Sequence, residues 1–335
     1  MKIILFLVSI IACFSISAQN TIRFSQLNFG QGINNPSALA IDGKLMVDLI
    51  GRNQWYGFKG APTTIALNGQ YELNQSMAVG LNVFHDRIGA SVNNSFAGQF
   101  AYRLNVDSYR FFALGVGLGI DNSVLDLGAA QTTDLNDPAF SFGSFSRTFL
   151  NGSFGVYYNS PKFYIGASIP KLFQTTRTFE SNDLTPKKWN YFLSSGFYFD
   201  VGDNYTFNPH IQIKGALNTP LTADLILRNT LGLWSFTVGY RTENSIIAGV
   251  DFLLSQNFRV GYSFNYSIDR LANAKASSNE LYLGFAFPYR SDRYDFERRR
   301  YIGLKGKPKS DWKRNSKKKY KNKGVRFGRG KKRSR

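Results

Sequence analysis

The sequence predicts an all-β protein, an antiparallel transmembrane β-barrel of the outer-membrane type with about fourteen strands and a disordered basic C-terminal tail. Apolar residues alternate with small or polar ones in segments of barrel length. The N-terminus has the layout of a secretory signal peptide. Beyond it there is no run of about eighteen apolar residues, which excludes a membrane-spanning helix, so the chain can cross a membrane only with strands.

The signal peptide is assigned to residues 1–18. Lys2 precedes an apolar run over 3–14, and small residues lead to Ala18. Cleavage after Ala18 would remove Cys13, the only cysteine, and leave no disulfide or thiolate in the mature chain. A second reading stays open, in which Cys13 and the three residues before it form a lipobox and the cysteine is acylated.

The remaining chain divides into three predicted parts. Residues 19–43 are polar and rich in turn residues, and form an N-terminal periplasmic segment that either folds back as a cap or plug or stays a loose terminus. Residues 44–287 form the barrel, and residues 288–335 form the tail.

Period-two alternation identifies the strands, because successive side chains of a strand point to opposite faces of the sheet. Large apolar residues alternate with Ala or Gly over 112–120, and large apolar or aromatic residues alternate mainly with polar ones over 258–267. The pattern predicts strands near 44–54, 62–72, 77–87, 91–104, 109–121, 149–159, 162–170, 190–201, 205–215, 221–229, 231–242, 245–254, 257–268 and 280–287.

The lengths of the connections alternate as well. Long connections follow the fifth, seventh and thirteenth predicted strands, and short ones follow even-numbered strands. Bacterial barrels have short periplasmic turns and longer external loops, so this alternation predicts an even number of strands and periplasmic termini. Phe285 and Phe287 end the last strand with an aromatic pattern suited to the membrane interface. A soluble β-sandwich or propeller also uses many alternating strands, but it explains neither the signal peptide nor the aromatic content, and no blade-like repeat is visible.

Catalytic motifs are missing from the sequence. His85 and His210 are far apart and belong to no HExxH or HxH arrangement. Gly115, Gly117 and Gly119 lie inside a strand pattern rather than at a strand-to-helix turn, which indicates that they make room in the lumen. The sequence therefore predicts no enzyme activity, no metal ligands and no cofactor.

The tail carries nearly all of the formal net charge of +19. From residue 298 to 335 there are 19 Lys or Arg and one acidic residue, Asp311, so the rest of the chain is almost neutral. Export argues against nucleic acid as its partner. The tail is instead predicted to bind anionic lipid, the cell wall or an acidic periplasmic protein, each in a salt-dependent manner. The candidate contacts are Arg298, Arg299, Arg300, Lys317, Lys318, Lys319, Lys331, Lys332 and Arg333.

Short motifs spread along the chain resemble the PorP/SprF family of type IX secretion-system membrane proteins. The resemblance runs from about residue 24 to 287, and the order of its motifs carries it more than any one motif does. The chain departs from the family in Ser37 and Ala38, where an aromatic residue and Ala usually follow Asn-Pro, and in its basic tail. The matching residues are Phe24, Ser25, Gln26, Asn35, Pro36, Arg52, Gln54, Trp55, Gly60, Ala61, Pro62, Thr63, Gly80, Asp86, Gly89, Tyr164, Ile165, Gly166, Ser168, Gly239, Tyr240, Arg241, Gly261, Tyr262 and Ser263.

The resemblance implies an outer-membrane component of a Bacteroidetes-type bacterium, surrounded by outer-membrane lipid. Its implied partners are type IX secretion components and secreted cargo proteins, including gliding adhesins that the pathway exports or holds at the surface. It implies no reaction. The rival interpretation is an outer-membrane channel or small-molecule transporter, which would need an open lumen.

Four residues are candidate contacts to the lumen or to a partner. Arg52, Gln54 and Trp55 are predicted on one early strand, with Arg52 and Gln54 on the same face. They would order a plug or bind a partner segment. In the simpler interpretation Arg52 and Gln54 pair with lumenal carboxylates, while Trp55 anchors the opposite face at the membrane interface. Arg241 is interpreted in the same way.

Overall fold

The computed structural model of the chain describes a closed antiparallel β-barrel with fourteen strand positions and a short segment inside the barrel. The described residues are 24–39, 41, 45–107, 110–126, 144–172, 189–201, 205–216, 221–242, 244–255, 257–268 and 277–287. The assigned signal peptide and the basic tail, with all nine of its candidate contacts, lie outside these residues.

One helix and fifteen strands are assigned within the described residues. The helix, α1, spans Leu27–Asn34. The strands are β1 (Leu45–Asn53), β2 (Thr63–Asn74), β3 (Met77–Ile88), β4 (Ser91–Asn105), β5 (Phe111–Asp126), β6 (Ser144–Asn159), β7 (Phe163–Lys171), β8 (Asn190–Phe197), β9 (Phe199–Val201), β10 (Tyr205–Ala216), β11 (Thr222–Leu231), β12 (Trp234–Arg241), β13 (Ser245–Leu253), β14 (Phe258–Ser267) and β15 (Ser277–Phe287).

The sheet closes on itself. Strands that are neighbours in the sequence pair antiparallel, except β8 and β9; β15 pairs with β1, and β11 pairs with both β10 and β12. β8 and β9 pair with successive parts of β10, so together they form one barrel strand that is interrupted at Tyr198. The fifteen assigned strands therefore occupy fourteen positions in the barrel. The predicted barrel of about fourteen strands is therefore confirmed.

The largest difference from the predicted strands concerns β5 and β6. They pair from Phe111 with Asn159 up to Asp126 with Ser144, beyond the predicted ends near 121 and 149. The extension is polar: Asn122 Nδ2 donates hydrogen bonds to Ser146 Oγ, at 3.2 Å, and to Thr148 Oγ1, at 2.9 Å. Backbone pairing continues where the apolar alternation has stopped, which is why the pattern underestimated both strands.

The two faces of the barrel wall differ as the alternation predicts. Along β5 the outward side chains from Phe112 to Ile120 are large, apolar and about half exposed, whereas the inward positions are small. Inward positions elsewhere carry buried charged groups, including Asp48, Arg103 and Glu280. Apolar side chains thus cover the surface that would face lipid, and polar ones line the lumen.

This outward face is expected to be intolerant of charge at mid-depth. Val116, at the middle of the apolar part of β5, is 52% exposed to the outside. Val116→Arg should lower the free energy of unfolding in lipid vesicles by about 2–4 kcal/mol, because a guanidinium near the bilayer midplane is poorly solvated. The matched control is Leu73→Arg, which is also outward but next to the end of β2 and should cost about 0–1 kcal/mol. Equal losses in a denaturant titration would contradict the proposed lipid contact.

Helix α1 is the only helix in the part of the chain that the structure describes. Neither it nor any other helix among these residues is long and apolar enough to cross a membrane.

Candidate functional site

Residues 24–39, here called the N-terminal segment, lie inside the barrel. Near one end Phe24 packs against Ile50 and Tyr282, which face inward from β1 and β15. Near the other end Leu39 packs against Ala78 and Ala101 of β3 and β4. Leu39 and Ser37, within the segment, are both 0% exposed. The segment therefore runs along the lumen rather than beneath it.

The direction of the segment follows from its contacts with the strands. Ser25 N donates a hydrogen bond of 2.8 Å to Glu280 Oε2, near the start of β15 and thus next to the connection over 268–276. Leu39 contacts β3 and β4 next to the short turns, at the end of the barrel where β1 begins. The segment thus runs from the barrel end with long connections to the end with short turns. Strand β1 begins at the short-turn end.

Asn35 fixes the middle of the segment to the wall. Its Nδ2 donates a hydrogen bond of 3.1 Å to Val156 O and a longer one of 3.5 Å to Ala167 O, so it bridges β6 and β7. Its Oδ1 accepts from Ser37 N at 3.0 Å. Ser168 Oγ donates to Asn34 O at 2.6 Å. Because these groups are buried, each unmade bond would leave a polar group without a partner at a cost of about 1–3 kcal/mol.

Glycines in the wall make space for the segment. A Cβ on Gly115 would collide with the backbone of Pro36 and Ser37, and one on Gly155 would collide with Asn35 Oδ1. A Cβ on Gly80 would lie 2.8 Å from Leu39 Cδ2. Inward glycines were predicted to make room in the lumen. At Gly115 this room is filled by the backbone of Pro36 and Ser37, which lies directly against the backbone of β5. Gly117 and Gly119 instead face Ser153 and Ala97 of neighbouring strands.

Arg103 ties the end of the segment to the wall. Its guanidinium donates to Leu39 O, and Nη1 lies 3.1 Å from Glu72 Oε2. It also lies 5.0 Å from the ring centroid of Phe111. The Arg103 and Glu72 side chains are 0% and 3% exposed. A charge taken this far from water is stable only when it is paired and hydrogen-bonded. Glu72 and Phe111 fix Arg103 within the wall, and its bond to Leu39 O holds the end of the segment there.

The wall from β11 to β14 carries two further buried ion pairs and a buried arginine bound to a serine. Arg241 binds Asp224 through two hydrogen bonds of 2.8 and 2.9 Å, and Arg228 lies 3.0 Å from Asp251 Oδ2. Arg259 Nη1 donates to Ser235 Oγ at 3.2 Å. The fork geometry of guanidinium against carboxylate makes the Arg241 pair both strong and rigid. Arg241 thus braces two adjacent strands, β11 and β12.

The candidate residues of the early strand separate in the structure. Arg52 is buried, and its Nε lies 3.7 Å from Glu280 Oε1, on the carboxylate that accepts from Ser25. The placement of Gln54 and Trp55 on the strand was wrong: β1 ends at Asn53, and both lie in the connection to β2. Trp55 has φ 55°, a left-handed conformation that interrupts a strand. It is 37% exposed.

The structure thus brings Arg52 to the N-terminal segment, leaves Gln54 and Trp55 at the rim, and places Arg241 on another part of the wall. Sequence reasoning missed Asn35, Arg103 and Glu280 as contacts of the segment. Arg103 and Glu280 occupy inward positions of alternating strands. The alternation predicts that their charges lie in the lumen, but it does not predict which residues they pair with.

Among the described residues, no group of three or more His, Cys, Asp or Glu side chains is arranged to hold a metal ion. The lumen instead presents fixed hydrogen bonds and ion pairs, an arrangement that holds a polypeptide segment in place.

Comparisons with known proteins agree with this architecture. The sequence profile described as "Type IX secretion system membrane protein PorP/SprF" matches residues 16–285. No curated protein matches the chain.

Among solved structures, the CymD monoaromatic hydrocarbon channel superposes with a TM-score of 0.50 at 13% identity, over 80% of this chain and 96% of that one. The outer membrane protein Omp33 of Acinetobacter baumannii superposes with a TM-score of 0.40 at 10% identity, over 73% of this chain and 100% of that one. At such identity the likeness to CymD concerns the fold alone. The matched profile covers most of the barrel and the N-terminal segment, and the chain belongs to the PorP/SprF family of type IX secretion-system membrane proteins.

Proposed function

We propose that this outer-membrane barrel is a non-enzymatic accessory component of type IX secretion that supports export or surface attachment of cargo proteins, such as gliding adhesins. It works through contacts with secretion partners and cargo at its two rims. Its lumen is closed by its own N-terminal segment, which acts as a permanent plug. The short-turn end, where β1 begins and β15 ends, faces the periplasm.

The observation that carries this proposal is the fit of the N-terminal segment in the lumen. A diffusion channel needs a water-filled passage, whereas here Pro36 and Ser37 lie against the backbone of β5 at Gly115. Asn35 bridges β6 and β7, and Arg103 binds Leu39 from β4. Because its interior is occupied by its own chain, such a barrel can bind partners only through its rims and its termini.

The second candidate is an outer-membrane channel or small-molecule transporter. The fold likeness to a protein described as a hydrocarbon channel favours it. It would require the N-terminal segment to leave the lumen or to move aside during transport. The bond from Arg103 to Leu39 O and the bridging Asn35 oppose such a movement, because Arg103 would lose one acceptor of its buried guanidinium and Asn35 would lose both of its carbonyl partners.

The secretion role is tested by comparing surface and secreted proteomes of wild type, a clean deletion strain, and the deletion strain complemented with full-length protein or with protein ending at Phe287. We expect the deletion to lose one or a few surface proteins and the full-length chain to restore them. Failure of the shortened chain to restore them would assign the basic tail to partner binding. An unchanged proteome in the deletion strain would contradict the secretion role and favour transport.

A further inference from the structure

The connection between β1 and β2 forms the wall of an open cavity of about 620 Å³ at the end of the barrel that carries the long connections. Tyr56, Phe58 and Lys59 come from this connection, and Arg87 comes from the end of β3. Thr63, opposite Arg87 in the register, completes the side formed by the strands. None of the contacts described above for the N-terminal segment involves a residue that lines the cavity.

The loop that forms this cavity has a defined shape. Gln54 N donates to Pro62 O at 2.9 Å, and Gly89 N donates to Gly60 O at 2.9 Å, so the loop is tied to itself and to the next turn. Gly57 and Gly60 have φ of 98° and 76°, conformations that L side chains rarely adopt. A loop held in this way presents its side chains without paying much ordering entropy when a ligand binds.

The charge of the cavity is one-sided. Lys59 and Arg87 are both exposed, and neither has a carboxylate partner among the described residues. The cavity lining within the described part of the chain contains no Asp or Glu. A guanidinium and an ammonium that face one cavity without a counter-charge attract an anion, and Arg in particular offers the forked donors that match a phosphate.

Aromatic side chains stand beside these cations. Tyr56 is 67% exposed and Phe58 is 44% exposed, although large aromatic side chains are usually more buried. Aromatic faces at a barrel rim lie at the level of lipid head groups, and they provide a flat apolar surface on which the apolar face of a sugar ring packs. The two cations would bind an anionic group, and the two aromatic side chains would bind a ring. One ligand that carries both an anionic group and a ring would satisfy the whole cavity.

We infer that the cavity between the β1–β2 connection and the end of β3 binds a phosphorylated sugar, with Lys59 and Arg87 on the phosphate and Tyr56 and Phe58 against the ring. The phosphorylated sugar head group of a glycolipid and a free sugar phosphate share this chemistry. The inference does not depend on the proposed secretion role, since it rests on the rim alone.

The test uses the full-length chain in nanodiscs, with binding followed by native mass spectrometry and titration calorimetry. The probes are lipid A, lipid A from which the phosphates have been removed, and soluble glucosamine 1-phosphate. We expect Lys59→Glu and Arg87→Glu each to weaken binding of the phosphorylated probe by about tenfold or more, since each turns an attractive contact into a repulsive one. Removing the phosphates should have a similar effect on the wild-type chain.

The matched control is Lys162→Glu, the same charge change on an exposed lysine in the short turn at the opposite end. It should bind like wild type, and thermal unfolding should show that all three variants are folded. Binding of the lipid but not of the soluble sugar assigns the site to a glycolipid head group, and equal binding of both assigns it to a free sugar phosphate. Unchanged binding in Arg87→Glu, or equal binding of the phosphate-free lipid, would overturn the inference.

Discussion

Gly115→Val is expected to expel the N-terminal segment from the lumen and turn an electrically silent barrel into a conducting one. The added side chain would occupy the position of the Pro36 and Ser37 backbone, which has no rotamer by which to escape. Ordinary overpacking costs about 1–3 kcal/mol and occasionally more. Here the added Cβ alone would lie less than 3.0 Å from Ser37 N and Pro36 C, too close for the segment to remain against the wall. The measurement is single-channel conductance in planar bilayers, with steady current expected in the variant and none in wild type.

Two further variants keep this prediction decisive if Gly115→Val fails to assemble. Deletion of residues 24–39 removes the segment and should give the same current from an intact barrel wall. Gly69→Ala is the control, because Gly69 lies on β2 with nothing within 4 Å of an added Cβ. It should stay silent. Steady ohmic current from wild type would refute the permanent plug and favour the channel, and silence of the deletion variant would show that other residues close the lumen.

Arg103→Ala is expected to cause the second large effect, a loss of about 3–5 kcal/mol in the free energy of unfolding. The substitution leaves Glu72 as a buried carboxylate without this guanidinium and removes the donor to Leu39 O. It also removes the cation from the ring of Phe111. The measurement is equilibrium unfolding in urea from lipid vesicles, read by tryptophan fluorescence.

A double-mutant cycle separates the ion pair from packing. Arg103→Met combined with Glu72→Gln should recover part of the stability lost in Arg103→Met alone, because the unpaired charge is then gone. The control is Arg110→Ala, which breaks an exposed pair with Asp107 in the turn after β4 and should leave the unfolding midpoint unchanged. If Arg103→Ala unfolds like Arg110→Ala, the buried contacts of Arg103 do not stabilise the barrel.

The extent to which the strands could be predicted depends on their surroundings. β5 and β14 alternate strictly because one face meets lipid and the other a crowded lumen, so both were found from the pattern alone. The ends of β5 and β6 were underestimated, since beyond the membrane both faces of a strand can be polar and the alternation disappears. Gln54 and Trp55 continued a plausible pattern, but the left-handed conformation of Trp55 ends it, and backbone conformation is weakly encoded in residue type outside Gly and Pro.

The lumen was only partly predictable for a different reason. The inward glycines of β5 indicated room, and the inward position of Arg52 indicated a carboxylate partner. The alternation could not predict which part of the chain fills the lumen or which carboxylate pairs with Arg52, because both depend on contacts between residues far apart in the sequence. Ser25 and Glu280, for example, are 255 residues apart. Several residues that carry the family resemblance meet there, including Ser25, Asn35 and Ser168, although they are far apart in the sequence.

The sequence by itself determined the all-β class, the approximate number of strands, their lipid-facing sides and the family, because each of these depends on local periodicity or on the order of short motifs. The tertiary structure decided how the N-terminal segment lies in the lumen, which buried charges pair, and how the rim collects Lys59 and Arg87 into one cavity. Closing a sheet brings together residues from strands distant in the chain, and the free energy of a buried contact depends on that meeting rather than on either residue alone.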